Sequence, residues 1–232
     1  AFLSAAAAPG SVAQRLPDNT ITEIKVIGLR RKIAERMALS SSRIAHITYV
    51  DEVDMTQLEK LRESLNADRR AERPRLTILP FLLQAMVKAI HQQPMMNAHF
   101  DDEAGIIRQY AGVHIGVATQ TPAGLVVPVI RHVEARNLWD GAVELNRLSE
   151  LARSAMASRA ELSGSTITIT SLGGLGGLVS TPVINHPEVA IIGVNKLQIR
   201  PFWDGQGFVP RMMMNLSSSF DHRVIDGWDA AV

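Results

Sequence analysis

The side chains best suited to chemistry gather near the end of the chain, in Asp221-His222-Arg223-Val224-Ile225-Asp226-Gly227. A strand signal, Met212 to Phe220, leads into them, and a turn built on Asp-Gly follows. An imidazole with its ordinary pKa of about 6.5 accepts and returns protons near neutral pH. At a strand end it is rigidly held yet open to a ligand. The same residue types also suit an ordinary surface turn. A second segment, Thr166 to Gly177, reads Thr-Ile-Thr-Ile-Thr-Ser-Leu-Gly-Gly-Leu-Gly-Gly. Alternation places Thr166, Thr168 and Thr170 on one face and Ile167 and Ile169 on the other. The glycines after Leu172 let a ligand approach the backbone, although a purely structural Gly-rich turn reads the same. The segment is neither a P-loop nor a dinucleotide fingerprint.

Two further features each have two readings. Leu29-Arg30-Arg31-Lys32 with Arg36 offers charge for a phosphate, or simply a solvated helix face. Met212-Met213-Met214 offers an adaptable lining for an acyl group, or ordinary core. His222 and Asp226 stand four residues apart, but no further ligand cluster completes a metal site, so no metal is expected.

These groups need a scaffold, and the hydrophobic periods supply one. Helical spacing runs through Thr56 to Ala71, with Leu58, Leu61 and Leu65 on one face. It returns in Leu79, Leu82, Leu83, Met86, Val87 and Ile90, ending before Pro94. A third helix spans about Leu138 to Ala157, striped by Leu138, Ala142, Leu145, Leu148 and Ala152. Strand patterns fall at His46 to Val53, Val113 to Thr119, Leu125 to Ile130, Thr166 to Thr170, Val189 to Val194 and Arg211 to Phe220, the last after a hairpin turn at Asp204-Gly205. The interleaving follows no regular βα repeat and no internal duplication. The expectation is one α/β domain with a mixed sheet.

Composition narrows the classes. Basic and acidic residues number 24 and 23, so no overall field points to nucleic acid. With no cysteine, disulfides, thiolate metal sites and a cysteine nucleophile are excluded. No run of about 18 apolar residues is present to span a membrane. Residues 1–20, rich in Ala with Pro9, Gly10 and Pro17, read as a flexible linker remnant with something once attached upstream, and 21–232 as the domain itself. The chain stops at Val232 inside an apolar stretch, which reads as a shortened C-terminus.

Taken together, the segments are specific. His222-x-x-x-Asp226-Gly227, within Ser217-Ser218-Ser219-Phe220-Asp221-His222-Arg223, resembles the active-site motif of the E2 acyltransferases (dihydrolipoyllysine-residue acyltransferases) of 2-oxo acid dehydrogenase complexes. Chloramphenicol acetyltransferases share its His-x-x-x-Asp-Gly core. Thr168-Ile169-Thr170-Ser171-Leu172-Gly173, with Pro182 to Asn185 and Pro187 to Ala190, resembles a second signature of the family. His114 to Ala118 with Thr121-Pro122-x-Gly124 to Pro128 resembles a third. The resemblance runs from about residue 24 to the end. Within the family, Asn215 to Gly227 and Leu29 to Met37 look most like bacterial branched-chain components.

The resemblance implies a chloramphenicol-acetyltransferase-like mixed sheet flanked by helices. It also implies acyl transfer, with branched-chain substrates expected, between a dihydrolipoyl thiol and coenzyme A (CoA). His222 is then the general base, the Thr170 hydroxyl the oxyanion donor, and Asp226 the residue holding the loop. CoA contacts are implied at Arg62, Thr77, Gln120, Ser149, Thr170, Ser171, Asn195 and Leu197. The lipoyl group would ride on an upstream domain. Trimers with active sites between subunits would build a cubic core that serves E1 decarboxylase and E3 dihydrolipoamide dehydrogenase. The setting would be the bacterial cytoplasm, or the mitochondrial matrix in a eukaryote. Three departures stand out: Thr170 where many members carry Ser, Gln120 where Asp is common, and an end five residues past Gly227. The competing readings are a non-catalytic scaffold and a stand-alone acetyltransferase of the chloramphenicol type.

Overall fold

The computed structural model describes residues 17–232, so most of the linker assigned to 1–20 lies outside the described residues. The first element, α1 (Gly28–Arg43), presents Arg30, Arg31, Lys32 and Arg36 to solvent, as a solvated helix face would. β1 (His46–Asp54) and α2 (Thr56–Ala67) follow, then α3 (Leu79–Gln92) and a hairpin of β2 (Ala98–Asp101) and β3 (Ile106–Gln109). Next come β4 (Ile115–Thr121), β5 (Gly124–Val126), β6 (Val129–Ile130) and α4 (Leu138–Arg153). The chain closes with β7 (Ile167–Ser171), β8 (Ala190–Val194), β9 (Gln198–Trp203), β10 (Phe208–Asp221) and α5 (Gly227–Ala231).

Eight strands form one mixed sheet in the order β1-β10-β8-β7-β4-β5, with β6 added to β4 and β9 to β10. β7 runs parallel to β4 and β8, and the other pairings are antiparallel. The expected mixed sheet is therefore present. The apolar run Leu125 to Ile130 is split between β5 and β6, both of which pair with β4.

Helix periodicity marks what packs on this sheet. In α3 the buried residues are Pro80, Leu82, Leu83, Met86, Val87 and Ile90. In α4 they are Gly141, Ala142, Leu145, Leu148 and Ala152. These faces join Ile115, Ile167, Ile169, Val194, Met214 and Phe220 of the strands in one core. α4 opens on Asn137, whose side-chain oxygen accepts from the amides of Trp139 and Asp140 at 2.9 and 3.0 Å.

α2 departs from its expected stripe. Leu58 packs against the core, but Leu61 is half exposed. The inward face is completed by Arg62 and Asn66, which both donate to the Leu76 carbonyl, at 3.3 and 3.0 Å. At 100° per residue, Leu61 falls on the opposite flank of Leu58 from these two.

Candidate active site

Three segments carry the side chains expected to function. The first is the turn after β10. Asp221 ends the strand, its amide donating to the Val189 carbonyl, and the His222 amide donates to the Ala45 carbonyl, both at 2.9 Å. The amides of Val224 and Ile225 both bond the Asp221 carbonyl, closing a tight turn. The His222 side chain is half exposed, with Nδ1 3.6 Å from Asp226 Oδ1. Asp226 sits at the entry to α5 and is largely solvated. The group that faces the Asp226 carboxylate in this turn is the imidazole of His222, at a separation longer than a hydrogen bond.

The second is β7 with its Gly-rich continuation. Alternation led to one polar face, yet Thr166 and Thr168 are as buried as Ile167 and Ile169. The strand is interior to the sheet, and the buried threonines there are satisfied by distant groups. Thr166 Oγ1 donates to Asn97 Oδ1 and accepts from the His114 amide. Thr168 Oγ1 donates to Glu188 Oε2 at 2.6 Å. Glu188, 1% exposed, also accepts from Ser165 Oγ and Asn185 Nδ2. Burial pushes its carboxyl pKa up to about 7, against the pull of those three donors. Thr170, one turn of the pleat further, is half-buried, and no intrachain partner for its hydroxyl occurs among the described residues.

The third is a cleft of about 420 Å³ at the end of β7 and β8. Thr77, Ser171, Asn195 and Leu197, four of the eight expected CoA contacts, line it together with Ile78, Leu79, Gly173, Gly174, Val194 and Met214. Gly173 and Gly174 are two of the four glycines expected to admit a ligand, and Met214 is the one member of the methionine run that lines this cleft. Ile78, Leu79 and Val194 carry no polar signal that sequence could have singled out. The polar floor is built: Asn195 Oδ1 accepts from Ser217 Oγ at 2.6 Å, and Ser217 Oγ accepts from the Ser180 amide. Beside it, a Cβ added to Gly193 would stand 2.6 Å from the Ser217 carbonyl, so only glycine lets β8 approach β10 there.

Other expected contacts lie apart. Arg62 lines a neighbouring charged cleft with Glu63, Asn66, Arg69 and Arg75. It is joined to the first cleft through Leu76, and its pKa is raised chiefly by hydrogen bonds to Glu59. Gln120 is exposed at the end of β4 and donates to the Thr121 carbonyl. Ser149 sits half-buried on α4. Neither lines the cleft within this chain.

The two groups expected to react, His222 and Thr170, also do not meet within this chain. Thr170 lies opposite Gly193, and Gly193 opposite Ser217, five residues before His222. Two strand spacings sideways and five residues along give a separation of roughly 20 Å. Among the described residues no group of three or more His, Asp or Glu side chains is placed to hold a metal ion. No described helix is long and apolar enough to cross a membrane.

Comparison with known proteins agrees with this architecture. The model of the 2-oxoacid dehydrogenases acyltransferase (catalytic domain) family matches residues 18–232. The lipoamide acyltransferase component of the branched-chain alpha-keto acid dehydrogenase complex of Pseudomonas aeruginosa is 59% identical over 208 residues, covering 90% of this chain and 49% of that protein. The chain thus spans about half the length of the curated relatives it matches first. Dihydrolipoamide acetyltransferase of Azotobacter vinelandii superposes with a TM-score of 0.87 at 38% identity, covering 94% of this chain and 91% of that one. That structure belongs to crystallographic and enzymatic work on a serine, a histidine and an asparagine in its catalytic mechanism. Chloramphenicol acetyltransferase, 14% identical with a TM-score of 0.53, shares the fold. The chain belongs to the 2-oxoacid dehydrogenase acyltransferase catalytic-domain family.

Proposed function

We propose that this chain transfers an acyl group between a dihydrolipoyl thiol and CoA at a site made by two copies of the chain. The observation that carries this reading is the placement of His222 and Thr170 about 20 Å apart on one sheet, each lacking the other's chemistry nearby. They complete a site only when the β10 turn of one copy meets the β7 end of another. Spacing supports the assignment. The serine, histidine and asparagine studied in the Azotobacter relative are separated by 52 and 4 residues, as are Thr170, His222 and Asp226 here.

A thiol with pKa about 8.5 is mostly protonated at pH 7. His222 takes the CoA thiol proton, most simply on Nε2, because Nδ1 faces Asp226. The thiolate attacks the acyl-lipoyl thioester carbonyl, and the Thr170 hydroxyl of the neighbouring copy donates to the resulting oxyanion. Collapse releases the lipoyl sulfur, which recovers the proton from His222. No acyl-enzyme forms. Asp226 holds the turn that carries His222. The cleft of Thr77, Ser171, Asn195 and Leu197 takes the pantetheine arm. Arg62 lies next to it for the nucleotide phosphates, with Gln120 and Ser149 as outlying contacts.

Residues 1–20 serve as a linker to an upstream lipoyl-bearing domain, and the copies build trimers and then a cubic core that serves E1 and E3 in the cytoplasm. The 59% identical Pseudomonas relative supports branched acyl groups as substrates. Thioester exchange between dihydrolipoamide and acetyl-, succinyl-, isobutyryl- and isovaleryl-CoA tests the reading. Branched groups should turn over fastest, and His222→Ala should slow exchange about 10²–10⁴-fold. Activity of that variant within tenfold of the parent would remove the general base. Preference for acetyl or succinyl groups would remove the branched-chain assignment.

A further inference from the structure

We propose that Arg223 and Asp102 are positioning residues for His222, joined in an ion-pair relay from the buried Asp221 to the end of α1; the inference rests on His222 being the base. The imidazole has little of its own to hold it: it is half exposed, and the nearest charged neighbour is Asp226 at 3.6 Å. Its two flanking residues, by contrast, are tied down. The Asp221 side chain is 1% exposed, and a buried carboxylate without a partner is costly. Arg223 meets it with a fork, Nε at 2.9 Å from Oδ1 and Nη2 at 2.7 Å from Oδ2, while its backbone amide adds a third bond at 3.1 Å. Charge-assisted, two-point pairing of this kind fixes direction as well as distance.

The fork is held from its other side. The Arg223 guanidinium lies 4.7 Å from the ring centre of Phe100 in β2. Its Nη1 is 3.4 Å from Asp102 Oδ2, in the turn between β2 and β3. Asp102 is in turn 3.4 Å from Arg43 Nη1, the last residue of α1. The outermost pair, Arg43 with Glu103, is mostly solvated and contributes little. The pair of Arg223 with Asp221 matters most because Asp221 is buried, and the Asp102 pair is less exposed than the outermost one. Arg223 therefore ties the residue before His222 to β2, while the backbone ties His222 itself to Ala45 and Asp221 to Val189. The direction of the imidazole is set by its neighbours in sequence. A displacement of about 1 Å at a reacting group costs on the order of 10²-fold in rate.

The test is steady-state exchange of isobutyryl-CoA with dihydrolipoamide, using assembled protein and the variants Arg223→Gln, Arg223→Lys and Asp102→Asn. His222→Ala serves as the control: its loss of activity establishes the base independently of the relay. Arg223→Gln should lower kcat about 30- to 100-fold with KM for CoA within threefold of the parent. Arg223→Lys, keeping charge without the fork, should recover part of that loss. Asp102→Asn, remote from both substrates and nearer the surface, should lower kcat about threefold to tenfold, again at unchanged KM. A kcat within twofold of the parent for Asp102→Asn would remove Asp102 from the relay. For Arg223→Gln, a kcat within threefold of the parent overturns the proposal. So does a loss of rate that follows loss of assembled particles in light scattering or a matching rise in KM, since either marks a merely structural residue.

Discussion

Glu188 offers a measurement in which sign and size both follow from the structure. Its carboxylate is buried between β7 and the segment before β8, accepting from Ser165, Thr168 and Asn185. Burial pushes its pKa up to about 7 from the ordinary 4.5, so the folded protein binds this proton more tightly than the unfolded chain. The stability contributed by protonation is then fully present below about pH 4.5 and is lost as pH rises through about 7. A shift of about 2.5 units at 1.36 kcal/mol each bounds the effect at about 3 kcal/mol. Between pH 5 and 8, about 2 to 3 kcal/mol should be lost. Glu188→Gln removes the titration while keeping the shape, since the Asn185 amide can turn to face the new NH₂ group. Urea unfolding, followed by tryptophan fluorescence at one protein concentration, should be run on parent and variant at half-unit steps of pH. The parent-minus-variant difference should fall by about 2 to 3 kcal/mol from pH 5 to 8 and flatten above. A difference flat to within about 0.5 kcal/mol would mean that Glu188 ionises in the ordinary range, and burial would not govern it.

A site shared between copies predicts complementation. Thr170→Ala and His222→Ala should each be nearly inactive alone, the first by about 10²–10³-fold from loss of an oxyanion donor. Coexpressed one to one, they should regain about a quarter of parental activity, because half of the histidines meet half of the threonines across a head-to-tail interface. Recovery below about 2% would place both groups in one copy. At Gly193, alanine would put a methyl 2.6 Å from the Ser217 carbonyl. That substitution should cost about 1–3 kcal/mol, read as a lower urea midpoint, and raise KM for CoA because Asn195 is two residues away. A variant with an unchanged midpoint would show that β8 and β10 can part without penalty.

The sequence made the sheet and the candidate groups legible wherever the cause was local. Helix stripes in α3 and α4, the Asp204-Gly205 turn and the His-x-x-x-Asp-Gly spacing are all read within a few residues. What stayed hidden was settled at long range. Thr166 and Thr168 read only as one face of a strand, because the groups that satisfy them, Asn97 and Glu188, lie 69 and 20 residues away. Leu61 looked like core, because polar Arg62 and Asn66 took the inward face by gripping Leu76. Ile78, Leu79 and Val194 look like any other apolar residue until the chain places them around Asn195.

Behind each functional segment stands a buried polar clamp. Asp221–Arg223 lies behind the histidine turn, Glu188 with Ser165 and Thr168 behind β7, and Asn195–Ser217 behind the cleft. Each carries a desolvation cost that an apolar core would avoid. A site assembled from two copies gives a reason to bear it. Within one chain, small shifts of two catalytic groups can relax together. In the site proposed across such a boundary, His222 and Thr170 share no backbone, so each would have to stand at its working position before the copies meet. Apolar packing tolerates sliding, whereas hydrogen-bonded pairs at 2.6 to 2.9 Å do not. On the proposed two-copy site, the clamps would therefore fix two halves that cannot correct one another.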